Sequence, residues 1–87
     1  MSGIDALLAE TDAPSTTISA ELDVRELPPP EPLKRTLETL ADLDGDGVVV
    51  QVNDRVPQHL FPRLDDRGFA YETVERDDRV VTAIWRA

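Results

Sequence analysis

Apolar residues recur along this chain with two different periods, and the switches between them outline six elements. Leu22 and Val24 alternate with Asp23 and Arg25, and Leu27 follows, so a strand is expected from Ala20 to Leu27. It stops at Pro28-Pro29-Pro30, which lack backbone donors and hold φ near about −65°. From Glu31 to Leu43 the period lengthens. Leu33, Leu37, Leu40 and Ala41 share one face, and Lys34, Arg35, Glu38, Thr39 and Asp42 the other, which predicts a helix. Pro32 suits its first turn, where a missing N–H costs nothing. Glu31 places negative charge at the positive end of the helix dipole. Glu31 and Arg35 also form an i, i+4 pair in the better orientation. Asp44-Gly45-Asp46-Gly47 turns the chain, with Gly45 suited to the left-handed position after a helix.

Val48-Val49-Val50-Gln51-Val52 is a short β-branched run. It reads as a strand buried on both faces, hence central in a sheet. Val56, Leu60 and Leu64 share a face, with Phe61 beside them, which predicts a second helix from about Pro57 to Arg67. Pro62 in its middle implies a short or kinked helix, and Gly68 ends it. Phe69 to Glu75 and Val80 to Arg86 are strand-like and joined around Arg76-Asp77-Asp78-Arg79, a hairpin. The order βαβαββ with short connections implies an α+β fold. It is a two-layer sandwich, with a mixed four-stranded sheet and two helices on one face. Trp85 on the last strand then belongs either to the core or to an open sheet face, where it would mark an interaction patch.

Residues 1–19 read as a mobile acidic tail ahead of a domain over residues 20–87. The tail holds Gly3, Pro14 and the polar run Ser15-Thr16-Thr17. Ile4, Leu7 and Leu8 are spaced i, i+3, i+4, so one helical turn can present an apolar face. Isolated helices that short are marginal in water. The other reading is a segment that docks on a partner or on its own domain.

Composition narrows the function. Eighteen acidic residues face nine basic ones, a net charge of −9, and eight of the nine are Arg. Such an excess strains a compact state at low salt. At molar salt the Debye length falls to about 3 Å and the repulsion fades. A halophilic setting, a salt-rich cytoplasm, is therefore expected. No basic stripe exists to track phosphates, so nucleic acid is not an expected partner. No apolar run approaches the roughly 20 residues that span a bilayer, and no signal peptide is evident, so the default compartment is cytoplasmic. The chain has no cysteine and one histidine, His59, which removes disulfides, thiolate zinc sites and multi-histidine metal sites.

The order of elements and the stretch Leu22-Asp23-Val24-Arg25-Glu26-Leu27-Pro28-Pro29-Pro30-Glu31-Pro32 resemble the TusA-like (SirA-like) sulfur carriers. Those proteins carry a Leu-Asp strand, a Leu four or five residues on, then Cys-Pro-x-Pro at the start of the first helix. Leu22, Asp23, Leu27, Pro30, Glu31 and Pro32 fall on that pattern. The likeness extends loosely over Glu21 to Arg86, including Asn53-Asp54 with Pro57 before the second helix and Pro62 within it. It places Pro29 where such carriers keep their sulfur-carrying cysteine. In the carriers, a helix N-terminus favours a thiolate or persulfide there. Pro29 has neither thiol nor N–H, so this chain alone has no group to carry a persulfide. The triple-proline version resembles an uncharacterised branch of these domains. The resemblance implies a setting in sulfur, iron or nitrogen-oxide redox metabolism, and no activity.

Three groups of residues are candidates for chemistry. Pro28, Pro29, Pro30, Glu31 and Pro32 form a rigid turn that either aims the helix or presents a preformed surface to a protein partner. Asp42-Leu43-Asp44-Gly45-Asp46-Gly47 matches the first half of an EF-hand loop, but its twelfth position is Asn53 and a strand follows. It reads as a helix end, with weak calcium or small-ligand binding as the alternative. His59 has no Ser, Cys or second His near it and reads as a surface or cap histidine. Asp65-Asp66 and Asp77-Asp78 are paired carboxylates of the kind an acid-rich chain holds in solvated loops. No nucleophile–base set, phosphate-cradling loop or metal cluster stands out, and no cofactor is expected. The sequence points to a non-catalytic binding or adaptor domain rather than an enzyme.

Overall fold

A computed structural model describes residues 11, 18–43 and 47–87. The elements run β1 (Ile18–Asp23), α1 (Glu31–Ala41), β2 (Val48–Asn53), α2 (Leu60–Asp66), β3 (Phe69–Arg76) and β4 (Arg79–Arg86). One mixed sheet has the order β1-β2-β4-β3. The β1–β2 pair is parallel, and β2–β4 and β3–β4 are antiparallel. This is the expected α+β sandwich, with β2 inside the sheet and buried at every position.

Alternation along the strands sorts the side chains. Val49, Ile84 and Phe69 face the helices and pack with Leu40, Leu43, Leu60 and Leu64. Val48, Val50, Val52, Val81 and Ala83 point to the other side. Both helices therefore sit on one face, as the pattern required. Tyr71 stacks on Phe61 at 4.7 Å between ring centroids, and its hydroxyl donates to Asp65 at 3.3 Å. Loss of hydration and the Asp65 carboxylate both push the Tyr71 hydroxyl above its ordinary pKa. Trp85 is partly buried on the face away from the helices.

Four boundaries differ from the sequence reading by two residues or more, and three of these have a local reason. Strand β1 begins at Ile18, two residues before Ala20, and ends at Asp23 rather than Leu27. It ends because Asp23 accepts the Arg25 backbone N–H at 3.2 Å, an Asx turn, and Leu27 N–H then folds back to the Val24 carbonyl at 3.1 Å. Helix α1 stops at Ala41, and the amides of Asp42 and Leu43 bond three residues back to Thr39 and Leu40. Such tightening satisfies terminal carbonyls. Helix α2 starts at Leu60, not Pro57, so Pro62 is its third residue and lies in the first turn. No kink is needed, because an N–H at that position has no partner within the helix.

Two glycines are fixed by geometry. Gly68 follows α2 with φ 77°, the left-handed conformation expected there. At Gly47 a Cβ would collide with the Leu43 side chain and with Ser19 Oγ, so close approach selects glycine. The hairpin turn is Asp77-Asp78, with Asp77 at φ 53°. Arg86 closes the end of the domain near Leu43. Its guanidinium donates to the Leu43 carbonyl at 3.0 Å and lies 5.1 Å from the Phe69 ring centroid.

Candidate functional site

Parallel pairing of β1 and β2 brings the ends of both strands to one edge of the sheet. The loops that leave them, residues 24–30 and 54–59, therefore face each other across the starts of α1 and α2. Between them lies a cleft of about 780 Å³. Val24, Leu27, Leu33, Val56 and Leu60 give it apolar walls, and Pro29, Pro30, Pro32 and Pro57 stiffen its rim. Arg25, Gln51, Asn53, Asp54, Arg55, Gln58 and His59 supply polar groups. A mostly apolar recess of this size with a few polar groups is the ordinary form of a binding site, for which about 300–1,000 Å³ is usual.

The proline turn is one wall of that cleft. Pro29, Pro30 and Pro32 line it. Pro28 and Glu31 stand beside it: the Pro28 carbonyl accepts the Glu31 N–H at 2.9 Å, and the Glu31 carboxylate lies 3.9 Å from Arg35. The peptide bond between Pro29 and Pro30 is cis.

The start of α1 is poorly furnished for an anion. Pro32 has no N–H, the Glu31 N–H goes to Pro28, and the Lys34 N–H returns to the Pro30 carbonyl at 3.1 Å. Of the first three helical amides only that of Leu33 is left to point outward, and Glu31 adds negative charge. A thiolate-stabilising helix end needs several free donors. This one has lost them to prolines and to the turn.

Under the cleft runs a buried polar ladder that the sequence pattern did not single out. Gln51 Nε2 donates to Thr36 Oγ1 at 2.9 Å, and Thr36 Oγ1 donates to the Pro32 carbonyl at 2.8 Å. Asn53 Nδ2 donates to Gln51 Oε1 at 3.3 Å. Asn53 Oδ1 in turn accepts the backbone N–H groups of Asp54 at 2.8 Å and Arg55 at 3.4 Å. The ladder links α1, β2 and the loop that forms the second wall. Among the described residues no buried side-chain nitrogen or oxygen lacks a partner. The available signal was Gln51, the one polar residue within a valine run.

Charges at the rim are largely spoken for. Arg25 holds Asp23 through two side-chain bonds, at 2.9 and 2.7 Å. Those bonds, with the Arg25 N–H, keep the Asp23 carboxyl below its usual pKa and raise that of Arg25. Arg55 lies 3.4 Å from Asp54. His59, at the cap of α2, is exposed and borders the cleft.

The comparisons with known proteins fit this geometry. A family described as an uncharacterised conserved protein, DUF2249, matches residues 21–86. The chain belongs to the DUF2249 family. A crystal structure of a SirA-like protein from Desulfitobacterium hafniense superposes on this DUF2249 chain with a TM-score of 0.66 and 26% identity. That match covers 78% of this chain and 99% of the other. The two findings together place the chain in the SirA/TusA-like superfamily, as a small domain of sulfur-carrier-like fold. No curated protein matches it.

The remaining candidates lie away from the cleft. Asp42 is exposed at the far end of α1, and residues 44–46 of the EF-hand-like turn lie outside the described residues. Asn53, its twelfth position, is committed to the polar ladder. Among the described residues no group of three metal-ligating side chains comes together, and no helix is long and apolar enough to cross a membrane.

Proposed function

We propose that this DUF2249 domain is a non-catalytic, cytoplasmic adaptor that holds an apolar segment of a partner protein in the cleft between its proline turn and the 54–59 loop. One observation carries the reading: the sulfur-carrier edge of the fold is occupied by a stiff apolar recess, with no thiol and few free amide donors. Rigid prolines lose little conformational freedom on binding, so a preformed wall keeps the cost of association low. Gln51 and Asn53, tied to Thr36 and to the 54–59 loop, hold the floor beneath that recess rigid. Pro28, Pro29, Pro30, Glu31 and Pro32 form one side of the contact, and Val56 the other. A setting in sulfur, iron or nitrogen-oxide redox metabolism rests on the resemblance to the carriers.

Affinity capture with the full chain in about 2 M KCl, where charge repulsion is screened, tests the site. The wild type is compared with Val56→Glu, Glu31→Arg and the distant control Glu38→Lys. Loss of the same partner with Val56→Glu and with Glu31→Arg, and its retention with Glu38→Lys, is the expected pattern. Retention by both cleft variants would sink the reading.

A further inference from the structure

An open sheet has two edges, and here they differ. Strand β1, at one edge, is six residues long, and its pairing with β2 is irregular between Ile18 and Ala20. Of the expected acidic tail, residues 1–10 and 12–17 lie outside the described residues, and Ile18 and Ser19 belong to this strand. Strand β3, at the other edge, runs eight residues in unbroken register with β4. It holds no Pro or Gly, and among the described residues no strand pairs with its outer side. Short length, bulges and prolines are common means of keeping an edge from recruiting another strand. Strand β1 is short and irregular; β3 is neither. Its edge carries Glu72, Glu75 and Arg76, charges of both signs.

The ladder fixes which groups that edge offers. Asp77-Asp78 is a two-residue turn, so Arg76 and Arg79 form a hydrogen-bonded pair, and such pairs alternate along an antiparallel ladder. Val74 and Glu72 therefore spend their backbone groups on β4, as Arg76 does. Thr73 and Glu75 turn their N–H and C=O outward. Side chains alternate as well. Glu72, Val74 and Arg76 stand on the face away from the helices, where Val74 packs against the cluster of Val50 and Val81. From Ala70 to Val74 the strand is half-buried, and Glu75 and Arg76 are exposed.

We infer that two copies of this chain join through β3, antiparallel about a two-fold axis beside Val74, and so double the four-stranded sheet. Self-complementary charge selects this register. Glu72 comes opposite the second copy's Arg76, and Arg76 opposite the second copy's Glu72, so both opposite-charge pairs form at once. Val74 meets its own counterpart. Thr73 exchanges backbone bonds with the second copy's Glu75, and Glu75 with the second copy's Thr73. Glu72, Val74 and Arg76 fall at non-hydrogen-bonded positions, where facing side chains approach most closely. Other registers fit less well. An axis beside Glu72 sets two carboxylates together, and one beside Thr73 sets Glu72 against valine. A shift by one residue pairs side chains of opposite faces. Arg76 is already engaged within its own chain, where it donates to the Glu75 carbonyl at 3.1 Å. A guanidinium has five N–H donors, so it can also take a carboxylate from a neighbour. The net charge of −9 opposes pairing at low salt, and screening relieves it.

Sedimentation equilibrium on the full chain, in about 0.5 M KCl to screen the net charge, tests the pairing. A reversible dimer with a Kd in the micromolar range is expected, as suits a small interface. Glu72 faces Ala83 within its own sheet, so Glu72→Arg leaves the ladder of the single chain in place. It makes both cross-copy pairs like-charged and should weaken the dimer about tenfold. Adding Arg76→Glu restores opposite pairs in reverse order and should bring Kd back to within about threefold of wild type. The chain has no cysteine, so Val74→Cys supplies a single thiol. Across the axis the two Cα atoms stand about 4.5 Å apart, within disulfide range. Oxidised glutathione should therefore convert the Val74→Cys protein to a covalent dimer and leave Glu38→Cys, on α1, mainly monomeric. A monomer at every concentration up to about 1 mM overturns the inference. So does a dimer indifferent to Glu72→Arg, or one in which Val74→Cys fails to cross-link, since another face then holds it. Should the double variant lose its fold, Glu72→Arg and the cross-link decide. None of these positions lines the cleft, so the outcome is separate from the adaptor reading.

Discussion

Thr36→Val is the sharpest probe of the ladder beneath the cleft. Valine matches threonine in shape but has no hydroxyl. The change removes the acceptor of Gln51 Nε2 and the donor to the Pro32 carbonyl. Gln51 is 1% exposed and Thr36 is 0% exposed, so water has no route to replace either bond. A buried amide left without its partner costs about 1–3 kcal/mol. Gln51→Leu alone should cost less, about 0.5–1.5 kcal/mol, because Thr36 keeps Pro32 and Asn53 sits closer to solvent. The double variant removes both ends of the bond. It should cost less than the sum of the singles, with a coupling of about 1 kcal/mol or more. Urea unfolding in about 2 M KCl measures all four proteins under screened conditions. With a slope of about 1 kcal/mol per molar urea, a loss of about 2 kcal/mol moves the midpoint by about 2 M. Strict additivity, or a Thr36→Val cost below about 0.5 kcal/mol, would refute the claim that this bond is buried and paired.

Three other outcomes follow from the same structure. Gly47→Ala should destabilise by about 1–3 kcal/mol, because Leu43 is buried and has to move; a thermal melt unchanged from wild type would contradict the close approach. The net charge of −9 predicts that the unfolding midpoint rises with KCl and levels off near molar salt; a flat response would remove the halophilic reading. Asp23 has a lowered folded-state pKa, so its contribution to stability is complete above its unfolded value of about 3.9 and fades as pH falls through the folded one. Asp23→Asn should therefore flatten the acid limb of the stability profile, by a small amount since the pair is exposed. An identical acid limb in the variant would show that Arg25 holds no grip on that carboxylate in solution.

The sheet and both helices were legible because their periods were clean: a valine run for β2, a leucine stripe for α1, aromatic and β-branched strands for the hairpin. Boundaries shifted where one side chain or ring outweighed the pattern. Asp23 ended β1 by capping Arg25, and Pro62 drew the start of α2 forward to Leu60 so that its ring fell in the first turn. Half of the site was legible too. The proline turn announced itself by composition. The facing wall did not, because nothing in Asp54 to His59 distinguishes a cleft loop from any other polar connection. The ladder was hidden for another reason. Thr36 and Gln51 lie fifteen residues apart, on a helix and a strand, and only packing shows that they meet.

The register of the strands fixes the edge at which the chain enters and leaves the sheet. Ile18 pairs with Val48, and Val48 with Trp85, so the first strand enters and the last strand leaves at the same edge of the sheet. The cleft lies at the opposite edge, where β1 and β2 end. Sequence appended after Arg86, or spliced in ahead of Ile18, would therefore emerge behind the cleft rather than across it. A fusion made at either end therefore leaves the mouth of the cleft unobstructed, which gives the domain a front and a back.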